Sequence, residues 1–294
     1  MEPRWLAIVR ARTVLAYFAV AYGVSWLLWL PLVASQQGWW SLDLPESWHY
    51  AAAAGPVTAA FVVAGIVDGR SGGRALLEQY RPSRAPRGWL VAAVGSVLAL
   101  AAGGIIGTRI ADGAWPSYAE FAKTGNLPAL GLPLTFLVHL LTFGVGEETG
   151  WRGFALPHLQ ERWGALRATA LLYAGWAGWH IPSFFENPTF SDWSATTMVG
   201  WLIGLGLGAV FLSWLYNSTH GSLLTVVAWH ALFNTVTASE AASESVLLAA
   251  VVTTGVMAIA TVALIAAGPA ELSGWSRHAG PRVRWSDLLR RNGE

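Results

Sequence analysis

Eight apolar stretches, each close to the roughly 20 residues that an α-helix needs to cross a bilayer, recur along this chain. They occupy residues 13–34, 50–67, 88–110, 129–147, 168–185, 196–215, 222–238 and 246–267. The pattern predicts an all-α polytopic membrane protein of about eight transmembrane helices. The composition agrees: 54% of the 294 residues are hydrophobic, 12% are charged, and mean hydropathy is +0.45, outside the range of ordinary soluble domains. Turn and charge signals such as D-G-R-S-G-G-R and R-P-S-R-A-P-R-G fill the intervals. No fixed-period repeat and no matched pair of broken helices interrupts the series, which weakens a transporter reading. The chain reads as one transmembrane domain over 1–294 with a basic tail at 268–294.

The basic residues supply an orientation. With the N-terminus inside and segments alternating between the two sides, 16 of the 18 Lys and Arg residues fall on the inner side, leaving Arg109 and Lys123 outside. Positive charge collects on the cytoplasmic side of membrane proteins, so both termini are expected to be cytoplasmic, in a cell membrane of bacterial type. Because these residues are dispersed among loops, no nucleic-acid partner is implied. The first apolar run is too long for the core of a cleavable signal peptide and reads as a span. Residues 290–294, R-R-N-G-E, form no C-a-a-X box, so the chain is not expected to be prenylated itself. Trp39, Trp40, Trp48, Trp89, Trp115, Trp193 and Trp275 fall near span ends, where an indole can bridge lipid and headgroup. The stretch R-V-R-W-S-D-L-L-R-R at 282–291 suits either a basic amphipathic helix on anionic lipid or a solvated tail.

Ionisable groups inside such runs are costly and carry the functional information. A carboxylate at mid-span costs about 2.5 to 3.5 kcal/mol, yet the fourth run ends in F-G-V-G-E-E-T-G-W-R-G-F, with Glu147 and Glu148 adjacent and Arg152 one turn on. On a continuous helix, Glu148 and Arg152 are i and i+4 in the favourable order and can pair. Glu147 is rotated about 100° away, free to act as a general base; a solvated interfacial acid pair is the other reading. His180 late in the fifth run precedes Pro182, which ends or kinks the helix. His230 and Asn234 share a face of the seventh run. Each alone also suits structural polar packing, as does His139, nine residues before the acids. His49, His158, His220 and His278 fall in predicted loops and receive no role. Two acids, two histidines and an amide on three spans permit water activation, with carboxylate and imidazole moving the proton and the other donors meeting an oxyanion. The set could also hold a divalent metal such as zinc through Glu147, His180 and His230. Because cysteine is absent, thiolate ligands, disulfides and a cysteine nucleophile are excluded.

E-E-T-G-W-R-G at 147–153, His180 on its own span and H-A-L-F-N at 230–234 together resemble the successive motifs of the CAAX protease and bacteriocin-processing family of intramembrane peptidases, which includes the type II CAAX prenyl endopeptidases. The resemblance covers roughly 140–238. The sequence departs from the F-x-x-x-H motif in carrying Trp176 four residues before His180. What the resemblance implies is a helical fold with a polar cavity open to the cytoplasm, core helices within 129–238, and an endopeptidase cutting a peptide substrate, lipidated or not, near the cytoplasmic face. It also implies that Glu147 and His180 activate water, that His230 and Asn234 form the oxyanion site, and that Glu148 and Arg152 support the first motif. The family is described both as metal-dependent and as glutamate-dependent without metal. A non-catalytic immunity or scaffold protein is the alternative, with a proton-coupled transporter third. For Glu147 to reach the depth of His180, the fourth helix must run past Arg152 to about Pro157, followed by an interfacial amphipathic linker over 156–166.

Overall fold

The computed structural model describes residues 3–187, 190, 193–274 and 281–291. Thirteen helices account for most of them, and no strand occurs among the described residues, as a chain in hydrocarbon requires when every backbone N–H and C=O must be bonded within its own segment. The helices are α1 (Arg4–Ala11), α2 (Thr13–Gln36), α3 (Ala54–Asp68), α4 (Arg70–Glu78), α5 (Trp89–Asp112), α6 (residues 132–160), α7 (Ala165–Trp179), α8 (Ser183–Glu186), α9 (Ala195–Ser218), α10 (Leu223–Thr237), α11 (Glu240–Glu244), α12 (Val246–Ala267) and α13 (Trp285–Arg290). All eight apolar runs are helical over most of their length. Five helical stretches are long and apolar enough to cross a membrane: Thr13–Gln36, Glu46–Asp68, Trp89–Asp112, Ala195–Ser218 and Val246–Ala267. The protein is therefore a polytopic integral membrane protein. A short 3₁₀ segment, Glu46–Ala53, leads into α3.

Helix α6 lies between α3 and α10; α10 packs on α5, α5 on α12, α12 on α9, and α9 on α7. Its glycines set the spacing. A Cβ on Gly146 would stand 2.7 Å from the Ala53 carbonyl oxygen, and one on Gly150 would stand 2.6 Å from that of Pro56. Neither position accepts a side chain while α6 lies this close to α3, the close approach that small residues permit between membrane helices.

Interactions divide the loops between two ends. At the N-terminal end of α3, His49 pairs with Glu186 at 2.5 Å. Beyond α10, Lys123 pairs with Glu240 at 3.2 Å. At the other end of α3, Asp68 accepts from the Trp285 indole at 2.9 Å, and Arg84 donates to the His220 carbonyl at 2.9 Å. Each set joins segments that the alternating pattern puts on one side.

The tail differs from both sequence readings. Residues 281–291 pack back onto the helices: Val283, Trp285 and Leu288 are buried. The Gln160 amide donates to the Val283 carbonyl at 2.6 Å, while Asn217 Oδ1 accepts from the Val283 N–H at 3.1 Å. Gln160 and Asn217, both buried, need such partners, and the apolar positions of the tail face helix and not lipid. Trp275 and His278 lie outside the described residues. His158, expected in a loop, sits on the last turn of α6, its ring stacked on Trp285 with centroids 4.6 Å apart. The expected linker over 156–166 is likewise absent as a separate element: residues 156–160 complete α6, a turn follows, and α7 begins at Ala165.

Candidate active site

The acid pair sits where α6 departs from α geometry. Leu140–Glu147 and Trp151–Ala155 are π-helical, bracketing a single α turn at Glu148–Gly150. Such i→i+5 stretches are rare and concentrate at functional sites. The helix continues past Arg152 to Gln160, which settles the depth question. At 1.5 Å per residue, Glu147 lies roughly 20 Å from the Gln160 end of α6, and His180 roughly 22 Å from the start of α7. Pro182 ends α7 just beyond His180 instead of kinking it.

Glu148 is the paired acid. It is 0% exposed, as is Arg152, and the guanidinium Nη1 donates to its Oε1 at 2.7 Å. The same oxygen takes a second donor, His230 Nδ1 at 2.6 Å. A carboxylate only accepts here, so Nδ1 carries the proton and Nε2 of His230 points elsewhere. A buried carboxylate needs pairing of this kind, since removal of it from water costs several kcal/mol.

Glu147, 2% exposed, makes no hydrogen bond to either histidine. Its Oε2 accepts from two indoles, Trp176 Nε1 at 2.8 Å and Trp151 Nε1 at 3.2 Å, leaving Oε1 outside these bonds. Trp176 is the hub of the site. Its ring lies under the Arg152 guanidinium at 4.5 Å from Cζ, a cation–π contact. Its centroid is 5.9 Å from the His230 ring and 6.0 Å from His180. His180 Nδ1 donates to the Trp176 carbonyl at 2.8 Å, so in the neutral ring Nε2 holds the lone pair. Asn234 stands one turn after His230 on α10, and its side-chain amide has no hydrogen-bond partner among the described residues. His139 is buried with Nδ1 at 3.0 Å from Thr235 Oγ1, a packing contact.

Glu148, Arg152 and His230 thus assemble directly, and Glu147 and His180 join them through Trp176. Sequence reasoning did not assign a role to three residues now placed here. Trp151 and Trp176 supply the donors to Glu147. Tyr17, fully buried on α2, packs edge-on against Trp151 with ring centroids 5.7 Å apart, and its hydroxyl has no partner among the described residues. A tyrosine within an apolar span was the available signal. The contingent metal-ligand set does not assemble: Trp176 stands between Glu147 and His180, and no three His, Asp or Glu residues are arranged to hold a metal ion among the described residues.

Residues 129–236, which include α6, α7, α9 and nearly all of α10, match the family model of type II CAAX prenyl endopeptidase, Rce1-like proteins. The chain is also 28% identical over 110 residues to the CAAX prenyl protease 2 of Methanococcus maripaludis, over 35% of this chain and 39% of that relative. It therefore spans about two fifths of the length of the curated relative it matches. Over residues 129–236, which carry most of the site, the chain is thus similar to the CAAX protease family.

Proposed function

We propose that this integral membrane protein is an endopeptidase that hydrolyses a peptide bond with Glu147 as general base. The supporting observation is a nearly fully buried carboxylate held by two neutral N–H donors on one oxygen, with no cation bonded to it, beside a carboxylate that is bonded to two basic side chains. The acid that is left is the one able to take a proton. Oε1 of Glu147 removes a proton from water as its oxygen attacks the carbonyl carbon. The carbonyl π electrons move to oxygen, and the charge that forms is met by the Asn234 amide and, when both ring nitrogens carry protons, by Nε2–H of His230. His180 Nε2 accepts a hydrogen bond from the same water and orients it. The intermediate collapses, the C–N bond breaks, and the proton held by Glu147 passes to the leaving amine.

The site stands about half-way along α6, so cleavage within the membrane thickness suits it better than cleavage at the surface. The substrate enters from the basic end, which the distribution of Lys and Arg assigns to the cytoplasm. A prenylated C-a-a-X peptide is the first substrate to test, given the similarity to the CAAX prenyl protease 2 of Methanococcus maripaludis; an unmodified membrane peptide is the second. Purified protein in detergent should release the C-terminal fragment from a fluorogenic farnesylated peptide, and Glu147→Gln should abolish release while leaving the unfolding temperature near that of the wild type. Full activity in both Glu147→Gln and His180→Ala would overturn the assignment.

A further inference from the structure

The end of the molecule that receives the tail holds a second polar feature, remote from Glu147. A cleft of about 480 Å³ opens between the 81–88 loop, the turn joining α9 to α10, and the tail. Arg84 and His220 form one wall and Arg282, Arg290 and Arg291 the other, with Asp287 between them. Two of the four guanidiniums are neutralised: Arg282 pairs with Glu271 at 2.8 Å, and Arg290 with Asp287. The other two make no ion pair among the described residues. Arg84 donates through Nε to the His220 carbonyl at 2.9 Å, and its Nη2 is buried with no partner among the described residues. Arg291 makes no side-chain ion pair among those residues.

The turn that builds this wall is itself constrained. His220 adopts φ of +55° and Gly221 φ of +78°; the first is uncommon for a residue with a side chain. The Gly221 N–H donates to the Tyr216 carbonyl at 2.9 Å, closing the turn and directing the His220 carbonyl at Arg84. Burial, and after it the neighbouring Arg291 and Arg84, push the His220 imidazole below its ordinary value. Two guanidiniums outside any ion pair, around one concavity, suit a tetrahedral oxyanion. The cleft lies on the basic face of the protein, where anionic headgroups are concentrated.

We propose that this cleft binds a phosphate group, with an anionic phospholipid headgroup and free phosphate as the two sources of that chemistry. Binding there is independent of the peptidase reading, because none of the cleft residues belongs to the site on α6.

The full-length protein in neutral detergent is titrated with dioleoyl phosphatidylglycerol or dioleoyl phosphatidylcholine and retention is read by native mass spectrometry, with and without inorganic phosphate. The wild type should retain phosphatidylglycerol in preference to phosphatidylcholine. Arg84→Gln and Arg291→Gln should each weaken retention about tenfold, the loss of a hydrogen bond to a charged group. Arg291 is exposed at the end of α13, so its variant tests the site without disturbing the fold. Retention of phosphatidylglycerol undiminished by millimolar phosphate supports the lipid source, and displacement by phosphate supports the free anion. Equal retention of the two lipids by the wild type, or wild-type retention by Arg291→Gln, would overturn the proposal.

Discussion

The indole N–H of Trp176 reaches across from α7 to Oε2 of Glu147 on α6, at 2.8 Å. Phenylalanine at 176 would keep the aromatic contacts with Arg152, His180 and His230 but could not donate. The bond holds Oε2, and with it the direction in which Oε1 faces.

Trp176→Phe is therefore expected to lower kcat by about ten- to a hundredfold, the equivalent of a hydrogen bond to a charged group at about 1.5 to 3 kcal/mol, with KM nearly unchanged. Steady-state kinetics on the fluorogenic peptide read both constants. A change confined to KM would mean that Trp176 shapes the substrate pocket instead of orienting the acid.

Glu148 and Glu147 should respond in opposite ways to the same substitution. Glu148→Gln leaves the buried Arg152 guanidinium without its carboxylate, and Arg152→Ala leaves Glu148 with His230 alone. Loss of one partner from a buried pair costs about 3 to 5 kcal/mol. Both variants should unfold at markedly lower temperature in detergent, whereas glutamine at 147 can still accept from both indoles and should not.

Trp285 anchors the tail through Phe154 at 5.2 Å between ring centroids, His158 at 4.6 Å and Asp68 at 2.9 Å. Truncation to alanine leaves a cavity of the kind that costs about 3 to 5 kcal/mol. Trp285→Ala is expected to free the tail, read as rapid tryptic cleavage at Arg282 and Arg284 under conditions in which the wild type resists.

The helical membrane fold was legible because the spacing of apolar runs is dictated by the bilayer, and the Glu148–Arg152 pair because i and i+4 residues on a helix are neighbours whatever surrounds them. What crosses between helices was not legible. That Glu148 is shared with His230, or that Trp176 turns its N–H toward Glu147, depends on helix rotation and depth, which hydropathy does not encode. The tail was misjudged for a related reason: Trp285 is buried, but the surface that buries it comes from Phe154, His158 and Asp68. The π stretches left no sequence signal beyond the closely spaced Gly144, Gly146, Gly150 and Gly153.

Those stretches make the chain unequally tolerant of insertions and deletions. A π turn holds one residue more than an α turn needs, so loss of a residue from 140–143 can be absorbed by closing the helix to α pitch, with Glu147 and everything beyond it kept in register. Helix α10 has no such surplus. A single-codon deletion between Leu223 and Trp229 would turn His230 about 100° away from Glu148, so α10 should reject length changes that α6 accepts.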